Sequence, residues 1–208
     1  MPLSILELLN LGRFPDLERV RQGHVAIHQP QNGPLSYRIK INDPLPSQSI
    51  EHIVGFGLGA DPDLIRQLYQ LCNGLWVADF AVYGLLSGPW GLSQPWDINA
   101  PNLYGRPEGL SESFLIVGLN DEKAADAQTL RLSHCITADG RIVVMELVKP
   151  TIFLREYRSI EDWLQMETDR VKIQRIEIEI HSIQRHRRAH LQKSPHPGIR
   201  HIDLLLAM

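Results

Sequence analysis

"LIRQLYQLCNGLW", Leu64 to Trp76, holds the change of periodicity on which the fold reading turns. Leu64, Ile65, Leu68, Tyr69, Leu71 and Cys72 recur at helical spacing on one face, so the run reads as an amphipathic helix. Just upstream, Asp61 can accept from the free N–H groups of the helix start. Pro62 suits the first helical position, where a missing N–H leaves no bond unmade. Asn73 or Gly74 supplies the left-handed residue that ends the helix. The chain restarts at once: "WVADFAVYGLL" (76–86) reads as a buried strand, rich in aromatic and β-branched residues.

Working outward, residues 3–11 form a short amphipathic helix. "HVAIHQ" (24–29) and "LSYRIKI" (35–41) alternate apolar and polar residues around "PQNGP", whose Asn-Gly pair permits a tight turn, so they form a β-hairpin. "NDPLPSQS" follows as a loop, and "IEHIV" is a possible strand after it. Downstream, "FLIVGL" (114–119) is a central strand. "TLRLSHCIT" (129–137) and "RIVVMEL" (141–147) flank an Asp-Gly turn and pair as an antiparallel hairpin. A last helix starts at Ser159, with Glu161 and Asp162 at the positive end of its dipole. Ile160, Trp163, Leu164, Val171 and Ile178 make its apolar stripe, and it runs to about Arg188. Hairpins with helices before and after them predict an α+β domain with a largely antiparallel sheet flanked by helices.

At 208 residues, 43% hydrophobic and 22% charged, the chain has globular composition, with one domain's worth of core. The formal net charge of −3 makes no case for nucleic acid. Charge is uneven, however. Asp61–Asp126 holds nine acidic and three basic residues, whereas Arg170–Met208 holds eight basic and three acidic. The middle is an acidic surface candidate and the tail a basic one. Cys72 and Cys135, both in apolar surroundings, are expected to be buried free thiols. The N-terminus lacks the basic start of a signal peptide, and no run reaches the length of a membrane span. A cytoplasmic protein is expected.

Several motifs imitate chemistry. "GFGLGA", Gly55 to Ala60, fits a dinucleotide-binding G-x-G-x-x-A between a possible strand and a helix. A pyrophosphate needs the helix start left open, and Asp61 and Asp63 occupy it, so a flexible helix entry is the better reading. His181, His186 and His190 share a helical segment, but Arg185, Arg187 and Arg188 would repel a cation, so a solvated basic face is favoured over a metal site. No aromatic residues interleave there, which argues against nucleic acid. His134 and Cys135 are adjacent in a strand and point to opposite faces, so they form no local dyad. No nucleophile elbow, H-E-x-x-H or P-loop is present. The expectation is no enzyme, no cofactor and no metal.

Residues 87–112, "SGPWGLSQPWDINAPNLYGRPEGLSE", have no period and are rich in Pro and Gly. A loop this long in a compact domain is usually either functional or wrongly assigned, and it is read as a loop with room for a helical turn. Trp90, Trp96 and Tyr104 in it either fold over the core or form an interaction loop, since such side chains give large contact area at low entropic cost.

The order of features resembles the SUKH superfamily, which includes fungal cell-wall synthesis regulators and many bacterial immunity proteins. The quoted helix–Asn-Gly–strand run followed by "VYG" is similar to that family's core. "FLIVGLND" (114–121), the hairpin "TLRLSHCITADGRIVVM" (129–145) and "REYRSIEDWLQME" (155–167), with Trp163 at the aromatic position of the closing helix, resemble its later pattern. The resemblance covers roughly 58–170. It leaves 1–57 as an N-terminal helix and hairpin extension and 171–208 as a basic helical tail. It implies a non-enzymatic protein-binding domain, most specifically an immunity protein that neutralises a bacterial toxin of nuclease or deaminase class. On that reading Trp90, Trp96, Asp97, Tyr104, Glu108 and Glu112 contact the partner, whose basic site would be steered by the acidic segment. The alternatives are a scaffold or regulator of the same fold and, less favoured, a small nucleotide- or metal-dependent enzyme. A homodimer through the tail is also open.

Overall fold

In the computed structural model, the strands lie in the sheet in the same order as in the chain. The structure describes residues 4–9, 17–20, 23–28, 37–57, 59–86, 96–123, 129–147, 149 and 152–170, all within the unit Met1–Lys172. The tail 171–208, and with it His181, His186, His190 and the expected extension of the last helix, lies outside the described residues.

The strands are β1 (Glu18–Val20), β2 (Gly23–His28), β3 (Tyr37–Asn42), β4 (Leu75–Val77), β5 (Phe80–Val82), β6 (Leu115–Lys123), β7 (Thr129–Ile136), β8 (Ile142–Glu146) and β9 (Phe153–Tyr157). They form one nine-stranded sheet in the order β1 to β9, and each neighbouring pair is antiparallel. The α+β expectation holds. The two expected hairpins are present as β2–β3 and β7–β8, the latter turning through Gly140 at φ 76.

Two local readings are corrected. The run 76–86 is not one strand but the tight hairpin β4–β5. It reverses at Ala78, a non-glycine residue at φ 53. "IEHIV" is not a strand: Ser47–Phe56 is a helix, α2, whose Ile50 and Ile53 are buried one turn apart. The N-terminal helix α1 is Ile5–Leu8, begun by Ser4 and Glu7 in reciprocal capping. The strands β1 and β9 carry no expectation from the sequence.

The helix α3 (Pro62–Leu71) starts as expected, with Asp61 Oδ1 accepting from Asp63 N at 2.8 Å and Leu64 N at 3.0 Å. Its end differs. Cys72 swings to extended backbone, φ −161 and ψ 150, so no left-handed residue closes the last turn. Asn73 then pairs its amide with Leu85, accepting from its N–H at 2.7 Å and donating to its carbonyl at 3.0 Å. Gly74, at φ 81, turns its carbonyl toward Asn42 N at 3.1 Å. The Asn-Gly pair therefore ties the helix exit to the end of β3 and to the segment after β5.

The main core lies between the helices and one face of the sheet, where Ile39, Ile41, Leu75, Val77, Phe80 and Val82 meet Ile53, Ile65, Leu68 and Tyr69. A smaller cluster of Ile116, Cys135, Val143 and Met145 occupies the other face under Leu110. A last helix, α4, spans 160–170 among the described residues. Its start is capped by Ser159 Oγ, which accepts from Asp162 N at 3.1 Å. Ile160, Trp163 and Leu164 are fully buried, as the expected stripe requires. Each contributes on the order of 1.5–3 kcal/mol or more by leaving water.

Beneath α4 runs a chain of polar groups. Trp163 Nε1 donates to His134 Nδ1 at 2.9 Å, and His134 Nε2 meets Asn120 Oδ1 at 2.7 Å. Asn120 Nδ2 donates to Glu122 Oε1 at 3.2 Å. Glu122 accepts from Arg155 at 2.7 Å, Arg155 Nε donates to Glu167 at 2.9 Å, and Tyr157 donates to the same carboxylate at 2.6 Å. Arg170 closes the group by bonding Glu167 and pairing with Glu122. Burial opposes charge on Glu167, but the surrounding cations and hydrogen bonds outweigh it and hold the carboxyl below its usual value.

Candidate functional site

The segment 96–114 crosses the end of β5 and is fixed there by backbone pairing. Gly84 N donates to Trp96 O at 2.8 Å and Ile98 N to Gly84 O at 2.9 Å, a short parallel bridge that sinks Ile98 into the main core. The Trp96 ring, 42% exposed, stacks 5.0 Å from Trp76 and 6.3 Å from Tyr83. Burial pushes the Tyr83 hydroxyl up to about 12, so it stays protonated at neutral pH.

Asp97 turns its carboxylate inward on the chain. Its Oδ1 accepts from Asn99 N and Nδ2, both at 3.0 Å, which starts the next turn. That turn, Ala100–Tyr104, is π-helical, with Gly105 N bonded to Ala100 O at 2.8 Å. Asn102 locks it to the sheet. Its side chain donates to Ile98 O at 2.9 Å and Ile116 O at 2.8 Å, and accepts from Ile116 N at 2.9 Å. Ile116 lies beyond the last β5–β6 pair, Val82 with Gly118, so Asn102 supplies the backbone partners that β5 does not extend far enough to give.

With the backbone held, Leu103 and Tyr104 are left 52% and 83% exposed. Arg106, the one basic residue between 96 and 114, bends back to the carbonyls of Ser111 and Phe114, the latter at 2.9 Å. Glu108 and Glu112 are exposed, and Leu110 anchors the turn between them in the smaller core. The segment thus presents carboxylates and aromatic or aliphatic side chains outward, while its guanidinium serves its own backbone.

Of the residues read from the sequence as partner contacts, Trp96, Tyr104, Glu108 and Glu112 reach the surface on this segment. Asp97 is half-buried and builds the turn, and Trp90 lies outside the described residues. Leu103 and the clamp Asn102 were not among them. Leu103 sits one place before Tyr104 in a π turn, where neither helical nor strand periodicity applies. Nothing local marks Asn102 either, because its partners are four and fourteen residues away.

The chemistry elsewhere is muted. Burial pushes the Cys72 and Cys135 thiols up to about 12, far from a reactive thiolate. Burial also lowers His134 to about 3, which leaves it neutral. Among the described residues no group of three or more His, Cys, Asp or Glu is placed to hold a metal ion. The glycine run 55–60 begins inside the last turn of helix α2 and not after a strand, so the strand–turn–helix context of a dinucleotide site is missing. No helix among the described residues is long and apolar enough to cross a membrane. No protein-family model matches the chain, and no curated protein or solved structure matches it.

Proposed function

We propose that this domain is a non-enzymatic protein-binding module acting through the 96–114 segment, and that it serves as an immunity protein against a toxin of nuclease or deaminase class. The observation that carries the reading is the exposure of Trp96, Leu103 and Tyr104 on backbone pinned by Asn102. Large apolar side chains on a pre-ordered segment lose little entropy on docking and are frequent interface anchors. Glu108 and Glu112 on the same segment suit a basic partner, because opposite fields steer encounter and fix register. The toxin class follows from the SUKH resemblance of 58–170.

Co-expression with the product of a neighbouring toxin gene tests the reading. Wild type should restore growth and Trp96→Ala/Tyr104→Ala should not. Equal protection by the double variant would remove the segment from the interface. A regulator of the same fold without a toxin is the second reading. It uses the same exposed segment and differs in having no toxin gene beside it.

A further inference from the structure

The two edges of the sheet differ. β1 has three residues, of which Glu18 and Arg19 are exposed, and a short charged edge resists pairing with another chain. β9 stands at the other end of the order, with no strand on its outer side among the described residues. It has five residues. Ile152, just before it, and Phe153 and Leu154, which begin it, are 52%, 44% and 45% exposed.

These three side chains make one patch. Phe153 packs against Phe114 at 6.0 Å between ring centroids. Leu154 is skipped in the pairing with β8, where Val144 meets Arg155 and Met145 meets Phe153. A bulge takes its extra residue off the ladder, and here that residue is apolar. The charges of β9 are already paired inside the protein. Arg155 serves Glu122 and Glu167 at 2.7 and 2.9 Å, and Glu156 accepts from Arg141 at 2.8 Å. The strand contains neither lysine nor proline, the residues that commonly guard an edge.

One occupant fits these features best, a second copy of the chain. A two-fold contact joins a surface to itself, so it needs apolar surface on apolar surface with no like charges brought together. An edge whose charges are paired internally meets that condition, and offers little to a strongly charged partner. A two-fold axis normal to the sheet also presents the copy's β9 antiparallel, the sense of every strand pair already in the sheet.

We propose that β9 is the interface between two copies of this chain, set edge to edge and antiparallel, with Ile152, Phe153 and Leu154 of each copy covering those of the other. Three half-exposed side chains on each copy remove roughly 500 Å² of apolar surface, and the strand backbones add to it, which is the size of a small, transient interface. The dimer is therefore expected in the micromolar range. The contact uses none of Trp96, Leu103 and Tyr104, and does not rest on the function proposed for them.

Sedimentation equilibrium of the full chain between about 1 and 500 μM tests it. The average mass should rise with concentration from one chain toward two. Leu154→Glu puts like charges across the two-fold and should hold the chain monomeric throughout, with a melting temperature near that of wild type because the side chain is exposed. Ile152→Glu, at a second exposed position, should do the same, whereas Trp96→Ala/Tyr104→Ala should dimerise as wild type does. Wild type that stays monomeric across the whole range overturns the proposal. So does a dimer that survives both glutamate variants, or one that is lost with Trp96→Ala/Tyr104→Ala, since either result places the contact elsewhere.

Discussion

Trp163 Nε1 donates to His134 Nδ1 at 2.9 Å, and this bond fixes the tautomer of a fully buried histidine. With Nδ1 accepting, the proton sits on Nε2 and is donated to Asn120 Oδ1 at 2.7 Å. Asn120 must then present Nδ2 to Glu122. Donors run in one direction from the closing helix to a carboxylate, and a charged His134 has no place in the sequence of bonds.

The pH dependence of stability follows. His134 titrates near 6.5 when unfolded and near 3 when folded, so the unfolded chain binds the extra proton first. Its contribution is complete above the unfolded value and is lost as pH falls from about 6.5 toward 3. The slope is about 1.4 kcal/mol per pH unit. Gln at 134 can accept and donate in the same directions without titrating. Denaturation of His134→Gln across this window should therefore be less pH-dependent by about that slope. Identical slopes would mean that the histidine is not buried neutral.

Trp163 carries both volume and a donor, and two variants separate them. Trp163→Ala should cost about 3–5 kcal/mol, as large core truncations do. Trp163→Phe keeps most of the volume but leaves His134 Nδ1 unsatisfied, at about 1–3 kcal/mol. Chemical denaturation measures both, and a loss below about 1 kcal/mol for the alanine variant would place the α4 face outside the core.

Gly118 lies where α4 crosses the sheet. A Cβ there would stand 2.9 Å from Ala81 O and 3.4 Å from Trp163 Cζ2, and the carbonyl belongs to a paired strand that cannot yield freely. Gly118→Ala should destabilise by about 1–3 kcal/mol. Unchanged stability would show that β5 and α4 are not so closely apposed.

Asn102 is the test of the pre-ordered segment. Asn102→Ala leaves the buried N–H and carbonyl of Ile116 without their partners, at about 1–3 kcal/mol for each unsatisfied group. Hydrogen exchange at Ile116 should accelerate markedly, while amides in β7 and β8 should change little. Retained protection at Ile116 would mean that another group holds the segment.

What the sequence revealed was local. Asp61 and Pro62 announce α3 because capping is a matter of adjacent residues, and the Asp-Gly turn of β7–β8 is legible for the same reason. The β4–β5 hairpin was not, because its positive φ falls on Ala78, which carries no turn signal. The helix α2 stood behind Pro44 and Pro46, which read as loop, although a proline is well tolerated just before a first turn. The buried network was illegible because Glu122, Arg155 and Glu167 converge from three separated elements. At the candidate site, the aromatic and acidic residues were visible as composition. Asn102, which orders them, and the engagement of Asp97 within its own turn were not.

The 96–114 segment is proposed to bind a basic protein partner. The most direct test is calorimetric titration of a nuclease- or deaminase-class toxin domain, taken from an adjacent gene where one is found, with wild type and with Trp96→Ala/Tyr104→Ala. Loss of two interface anchors should raise the dissociation constant by roughly 100-fold or more, while the melting temperature stays near that of wild type. An unchanged dissociation constant for the double variant would contradict the account.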